Sequence, residues 1–310
     1  MSVLDLLWRP RPEERTEDRL TDLKEVRRLE LTSRRLMNSP ALGQYQSVFR
    51  GQGIEFSEVR AYQPGDPFQA IDWKVTARMR RPYVKRFVEE RELTVLLVVD
   101  LSASNDFGTR GGLKREIATE LAGVLALAAM RSGDRVGLLV FTDRVEQFIR
   151  PRRGRNRNLR LLYDLVTCRP EGKGTDIGGA LAAASRMLTV RSLVFVVSDF
   201  MASEPLAQPF LSIAARHDVV AVDIRDPAEL AIPGSGWVEI EDPETGERQI
   251  VDLSDPFVRA SLEGQAARDE VVLEKMFARC RVDHLPIRTD QPYEPALANF
   301  FAARGRIRQS

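Results

Sequence analysis

"TVLLVVDLSASNDFGT", residues 94–109, decides how this chain is read. An unbroken run of apolar and β-branched residues ends on Asp100, and serines follow at positions 102 and 104. A strand covered on both faces is continuously apolar, whereas a half-exposed strand alternates, so residues 94–100 predict a buried strand of a parallel sheet. The serines have two explanations. Either one caps the helix that follows, or both belong to an oxygen-lined cation site.

Outward from this stretch the chain alternates between strands and helices. A helix is predicted over about 112–131, strands over 135–142 and 145–149, and helices over 156–167 and 177–189. "SLVFVVSD" (192–199) is the next buried strand, followed by a helix near 204–217 and a strand over 219–224. "WVEIEDPETGERQIVDL" (237–253) reads as a hairpin around "DPETG". A helix over about 256–280, a strand over 282–289 and a final helix over 293–303 complete the series. Repeated units of this kind give a doubly wound, mostly parallel α/β sheet with right-handed crossovers.

The first 93 residues read differently. Residues 20–37 place leucines and a valine at helical spacing, while residues 44–93 suggest strands around the turn "QPGDP". The expected organisation is an N-terminal helix plus a smaller, partly β module (1–93), an α/β domain (94–303) with the hairpin as an excursion, and a tail (304–310).

Composition excludes several classes. Net charge is +1 over 310 residues, so no global field points to nucleic acid. Cys168 and Cys280 share no ligand-like spacing, which argues against a disulfide framework or a zinc site. Two histidines, His217 and His284, leave little material for a histidine-built active site. The opening residues lack the apolar core of a signal peptide, and the most apolar segments fall well short of the ~20 residues of a spanning helix. A cytoplasmic protein without a membrane span is expected.

Open α/β sheets bind ligands beyond the carboxyl ends of their strands, near the point where strand order reverses. Three such ends carry matching chemistry: Asp100 with Ser102 and Ser104, Thr175 and Asp176 in "GKGTDIGGAL", and Asp199 closing "SLVFVVSD". Taken singly, each is as readily a helix cap or a loop anchor. Together they supply the carboxylates and hydroxyls that a hard divalent cation requires.

"DLSAS", "GTDIGGAL" and "VVSDF" resemble the metal-ion-dependent adhesion site of the von Willebrand factor A-like fold. The resemblance implies a Rossmann-type, von Willebrand A-like domain whose site residues are Asp100, Ser102, Ser104, Thr175 and Asp199. It also implies Mg²⁺ (or Mn²⁺) as the cation. The longer stretch "GQGIEFSEVRAYQPGDPFQAIDWKVTARMRRPYVKRFVEERELTVLLVVDLSAS" resembles the bacterial family called domain of unknown function 58, and similarity runs from about residue 20 to residue 306. Members of that family commonly accompany MoxR-type AAA+ ATPases. The expected function is therefore non-enzymatic: a metal-dependent protein–protein interaction in which a partner supplies a Glu or Asp carboxylate, with such an ATPase as the candidate partner. The alternatives are a hydrolase using the same cation to activate water, with Asp106 or Asp176 as base, and a scaffold whose site stays empty.

Other motifs carry less. "EGKGTD" fails the spacing of a phosphate-binding loop. The basic run "RPRRGRNRNLR" (150–160) has no interleaved aromatics for base stacking and reads as a solvated loop or a docking patch for an acidic partner. Asp66, Asp72, Trp73, Lys74 and Arg78 are expected to be structural, with Trp73 packed on the larger domain.

Overall fold

The computed structural model describes residues 55–88, 92–109, 112–201, 204–231, 234–241 and 246–307. The helix expected at 20–37, any strand before residue 55 and the end of the tail lie outside the described residues.

Strand β3 (Thr94–Asp100) is buried along its whole length, as its apolar run requires. Its side chains alternate between two cores: Val95, Leu97 and Val99 enter one, and Leu96 and Val98 the other. Around it lie β4 (Arg135–Phe141), β5 (Val145–Arg152), β6 (Leu193–Ser198), β7 (Asp218–Arg225) and β10 (Asp283–Arg288), in the spatial order β10-β7-β6-β3-β4-β5. All neighbours pair in parallel except β4 and β5. Pro151, which cannot donate to a ladder, lies in β5 at the sheet edge, where it is tolerated.

Read from β5, this is the doubly wound order in which the sheet's third, second, first, fourth, fifth and sixth strands follow one another. The order reverses between β3 and β6. Helices cover both faces. Residues of α2 (Lys114–Arg131), α3 (Arg155–Thr167) and α8 (Tyr293–Ile307) fill the first core. Those of α4 (Ile177–Met187), α5 (Ala207–Ala214) and α7 (Pro256–Cys280) fill the second. A one-turn helix, α6 (Pro227–Leu230), follows β7. The hairpin of β8 (Trp237–Glu241) and β9 (Arg248–Asp252) forms as expected, antiparallel and apart from the main sheet.

Ahead of the sheet, β1 (Glu55–Ala61) and β2 (Tyr83–Val88) pair antiparallel around α1 (Trp73–Met79). Asp66 accepts both guanidinium contacts of Arg60, at 2.6 and 2.9 Å, and Asp72 caps α1 through the amides of Lys74 and Val75. These carboxylates are structural, as expected. Trp73 is not: its side chain is 68% exposed at the start of α1 instead of packed on the larger domain. The last helix also departs from expectation, running beyond residue 303 to Ile307. Arg304 holds it there, pairing with Asp218 and, at 2.7 Å, with Asp283.

Among the described residues, no helix is long and apolar enough to cross a membrane. Cys280 is a buried free thiol, and Cys168 is half-buried. His217 is buried in the core margin, and His284 lies 3.2 Å from Asp223 within the β7–β10 pair.

Candidate functional site

The register of the central strands sets the site. Val99 pairs with Val197, so Asp100 falls level with Ser198, and Asp199 follows at the next position. Both aspartates thus leave the sheet at the place where strand order reverses. Asp100 is held from two sides: its Oδ2 accepts from Ser198 Oγ at 2.6 Å and its Oδ1 from the Ser102 amide at 2.9 Å.

Beyond Asp100 the chain makes a 3-10 turn (Ala103–Asp106) that brings Ser102 Oγ and Ser104 Oγ within 3.1 Å of each other. Neither serine caps the long helix, which starts later, at Lys114. The cap explanation therefore fails for both. Asn105 donates its amide to Ser102 Oγ at 3.2 Å, and its own Oδ1 is buried with no hydrogen-bond partner among the described residues. A buried acceptor without a donor is uncommon and marks a place where a water or an ion can bind.

The second loop is tied to the first by one backbone contact, the Ala103 amide donating to the Lys173 carbonyl at 2.9 Å. Its other anchors are on the β4–β5 turn. The Asp176 amide donates to the Thr142 carbonyl at 2.8 Å, and Glu146 accepts from the amides of Glu171 and Gly172 and from Thr142 Oγ1. Gly172 fits closely here: a Cβ would lie 2.2 Å from Thr142 Oγ1 and 2.3 Å from Asp143 Oδ1, so a larger residue would displace these side chains or the loop. Half-buried Thr175 lies between these two anchored positions. Asp176 is a cap, accepting from the Gly179 amide at 2.7 Å at the start of α4.

The third loop carries Asp199 and turns sharply at Phe200, whose φ of 53° is rare for a bulky side chain. The aromatic ring holds that conformation in place, packing 5.1 Å from Phe277 and 5.9 Å from Phe210. Backbone strain of this kind costs about 1–3 kcal/mol and persists where surrounding packing enforces it.

A group absent from the sequence reading completes the site. Lys114, the first residue of α2, is buried with its Nζ 2.6 Å from Asp199 Oδ2 and in contact with Glu229 of α6. Burial opposes its charge, but the two carboxylates outweigh that and hold the ammonium above its ordinary pKa. Glu229 is in turn fixed by the Asp226 amide, 3.0 Å from its Oε2. Asp226 gathers the neighbouring loops, accepting from Thr109, Thr289 and the Ala228 amide. Burial would raise its pKa, yet these hydrogen bonds keep it low. Sequence offered one cue to Lys114: a lysine in the first turn faces the helix's own positive end. Ser198, the polar end of an otherwise apolar strand, was the cue to Asp100's second partner.

Electrostatically the site is crowded with negative charge. Burial, and then the nearby charge of Asp199, push the Asp100 carboxyl up to about 7, against the hydrogen bonds from Ser198 and Ser102. With Asp100 ionised, as cation binding requires, Asp100, Asp199 and Glu229 against Lys114 leave two negative charges. That charge, the all-oxygen donor set and the orphaned acceptor of Asn105 suit one hard divalent cation. Among the described residues no group of three or more His, Cys, Asp or Glu is placed to hold a metal, so the set depends on its hydroxyls.

Fold and site together define a doubly wound α/β protein with a buried group of carboxylates and hydroxyls at its switch point. The model of the family described as "Protein of unknown function DUF58" matches residues 58–272, and the chain belongs to that family. It is 32% identical over 283 residues to Uncharacterized protein Rv1480 of Mycobacterium tuberculosis (strain ATCC 25618 / H37Rv), covering 91% of this chain and 89% of that one. Among solved structures, it is similar to an aerotolerance-related membrane protein from Bacteroides fragilis NCTC 9343 (17% identity, 68% of this chain and 99% of that one, TM-score 0.47). It is also similar to a von Willebrand factor type A protein from Catenulispora acidiphila (12% identity, 70% and 43%, TM-score 0.33).

Proposed function

We propose that this protein is a divalent-metal-dependent interaction protein acting in the cytoplasm, with Asp100, Ser102, Ser104, Thr175 and Asp199 holding Mg²⁺ or Mn²⁺. The observation that carries this reading is the convergence at the switch point. Asp100 and Asp199 leave adjacent strands there, and Ser102, bonded to Asp100, has its hydroxyl 3.1 Å from that of Ser104. When bound, the cation would supply an electrophilic centre for one external anionic oxygen. The chain's own residues orient that centre: Ser198 and the Ser102 amide fix Asp100, and the Phe200 turn fixes Asp199.

The partner chemistry follows from charge. Two carboxylates leave a divalent ion able to take a further anionic ligand, and a Glu or Asp side chain of a partner protein fits that demand. A MoxR-type AAA+ ATPase is the candidate partner, on the strength of the family resemblance. Hydrolysis is the weaker reading. The carboxylates it needs as bases are already engaged, Asp106 with Arg115 at 3.1 Å and Asp176 at the start of α4.

The test is a pull-down of a MoxR-type AAA+ ATPase by the tagged chain, with Mg²⁺ and with chelator. Capture that depends on Mg²⁺ and is lost in Asp100→Ala supports the proposal. Capture indifferent to the metal removes it.

A further inference from the structure

Lys114 is the feature of the site that ordinary folding energetics do not account for. It is buried, and burying an ammonium is unfavourable unless it is fully paired. It opens a helix, where the helix dipole disfavours positive charge. A well-packed apolar side chain in place of such a buried ion pair is commonly neutral or stabilising. The pairing is nonetheless built with care. Asp199 Oδ2 receives the ammonium while its Oδ1 accepts from the Met201 amide. Glu229 offers one oxygen to Lys114 and the other to the Asp226 amide.

We propose that Lys114 is the resident counter-charge of the cation site: its ammonium neutralises Asp199 when no divalent ion is bound and competes with that ion for the same carboxylate. This rests on the reading of Asp100, Ser102, Ser104, Thr175 and Asp199 as a metal site, and it adds what sets that site's affinity. A fixed positive charge on a liganding carboxylate lowers affinity for a second cation, because the repulsion acts in a poorly screened interior. Glu229 moderates the effect by sharing the ammonium. The site is thereby kept weak enough to empty, as a reversible contact requires.

The experiment is calorimetric titration of Mn²⁺ into the full chain as wild type, Lys114→Met and Glu229→Gln, with folding checked by circular dichroism. Lys114→Met is expected to bind Mn²⁺ roughly tenfold more tightly or better. Glu229→Gln, which leaves the ammonium to Asp199 alone and removes a negative charge, is expected to bind more weakly. Unchanged or weaker binding by Lys114→Met overturns the counter-charge role while leaving the metal site standing. If Lys114→Met does not fold, Glu229→Gln decides: unchanged or tighter binding overturns the role. No Mn²⁺ binding by any variant at millimolar concentration overturns both this inference and the metal site itself.

Discussion

Lys114 and Asp199 form an ion pair of 2.6 Å whose side chains are 1% and 0% exposed. Removing one partner of such a pair leaves the other charge buried and uncompensated, at a cost of about 3–5 kcal/mol. Asp199→Ala is therefore expected to lower unfolding free energy in urea denaturation, by less than that amount because Glu229 still pairs with the ammonium. A loss below about 1 kcal/mol would mean that the pair is open in solution.

Asp100 predicts a pH dependence. A carboxyl raised to about 7 keeps its proton in the folded chain at pH values where the unfolded chain has released it. Stability must then fall as pH rises from about 4 to about 7. The metal-free wild type should lose thermal stability over that window, Asp100→Asn should lose less, and added Mg²⁺ should restore the wild type at the upper end. Parallel melting curves for the two proteins across the window would refute this assignment.

Gly172→Ala tests the loop that carries Thr175. The new methyl group would meet Thr142 Oγ1 and Asp143 Oδ1 at sub-van der Waals distances, so the loop and the β4–β5 turn it rests on must shift relative to each other. The expected result is Mn²⁺ affinity reduced by roughly tenfold with the melting temperature changed by only a few degrees, since the main sheet is untouched. Unaltered Mn²⁺ affinity would detach this loop from the site.

Asp226 joins the loops after β3, β7 and β10 through hydrogen bonds to Thr109 (2.6 and 2.9 Å), Thr289 (2.7 Å) and Ala228 (2.9 Å). Hydrogen bonds to a charged acceptor contribute about 1.5–3 kcal/mol each, though not additively. Asp226→Ala is expected to cost at least about 3 kcal/mol and to abolish hydrogen-exchange protection of the Thr109 amide. Continued protection of that amide would show that the link is dispensable.

Much of this architecture could be read from the chain because its signals are local. The run 94–100 is buried throughout, and the helix expected at 256–280 spans Pro256–Cys280, its start marked by Asp255 and a following proline. What could not be read depends on distant partners. Lys114 meets carboxylates 85 and 115 positions away, and no periodicity announces such a contact. The extension of α8 likewise follows from Arg304 meeting Asp218 and Asp283. Trp73 failed for the opposite reason: a large aromatic residue implies burial on average, and this one is exposed. At the site, spacing pointed to three loops without fixing the role of each polar residue, and of the two roles open to Asp176 the structure shows the helix cap.

The most direct measurement is anomalous scattering from crystals of the full chain grown with Mn²⁺. The account predicts one strong peak bounded by the Ser102, Ser104 and Thr175 hydroxyls, with the carboxylates of Asp100 and Asp199 facing it. A peak elsewhere, or no peak at this position at millimolar Mn²⁺, would contradict it.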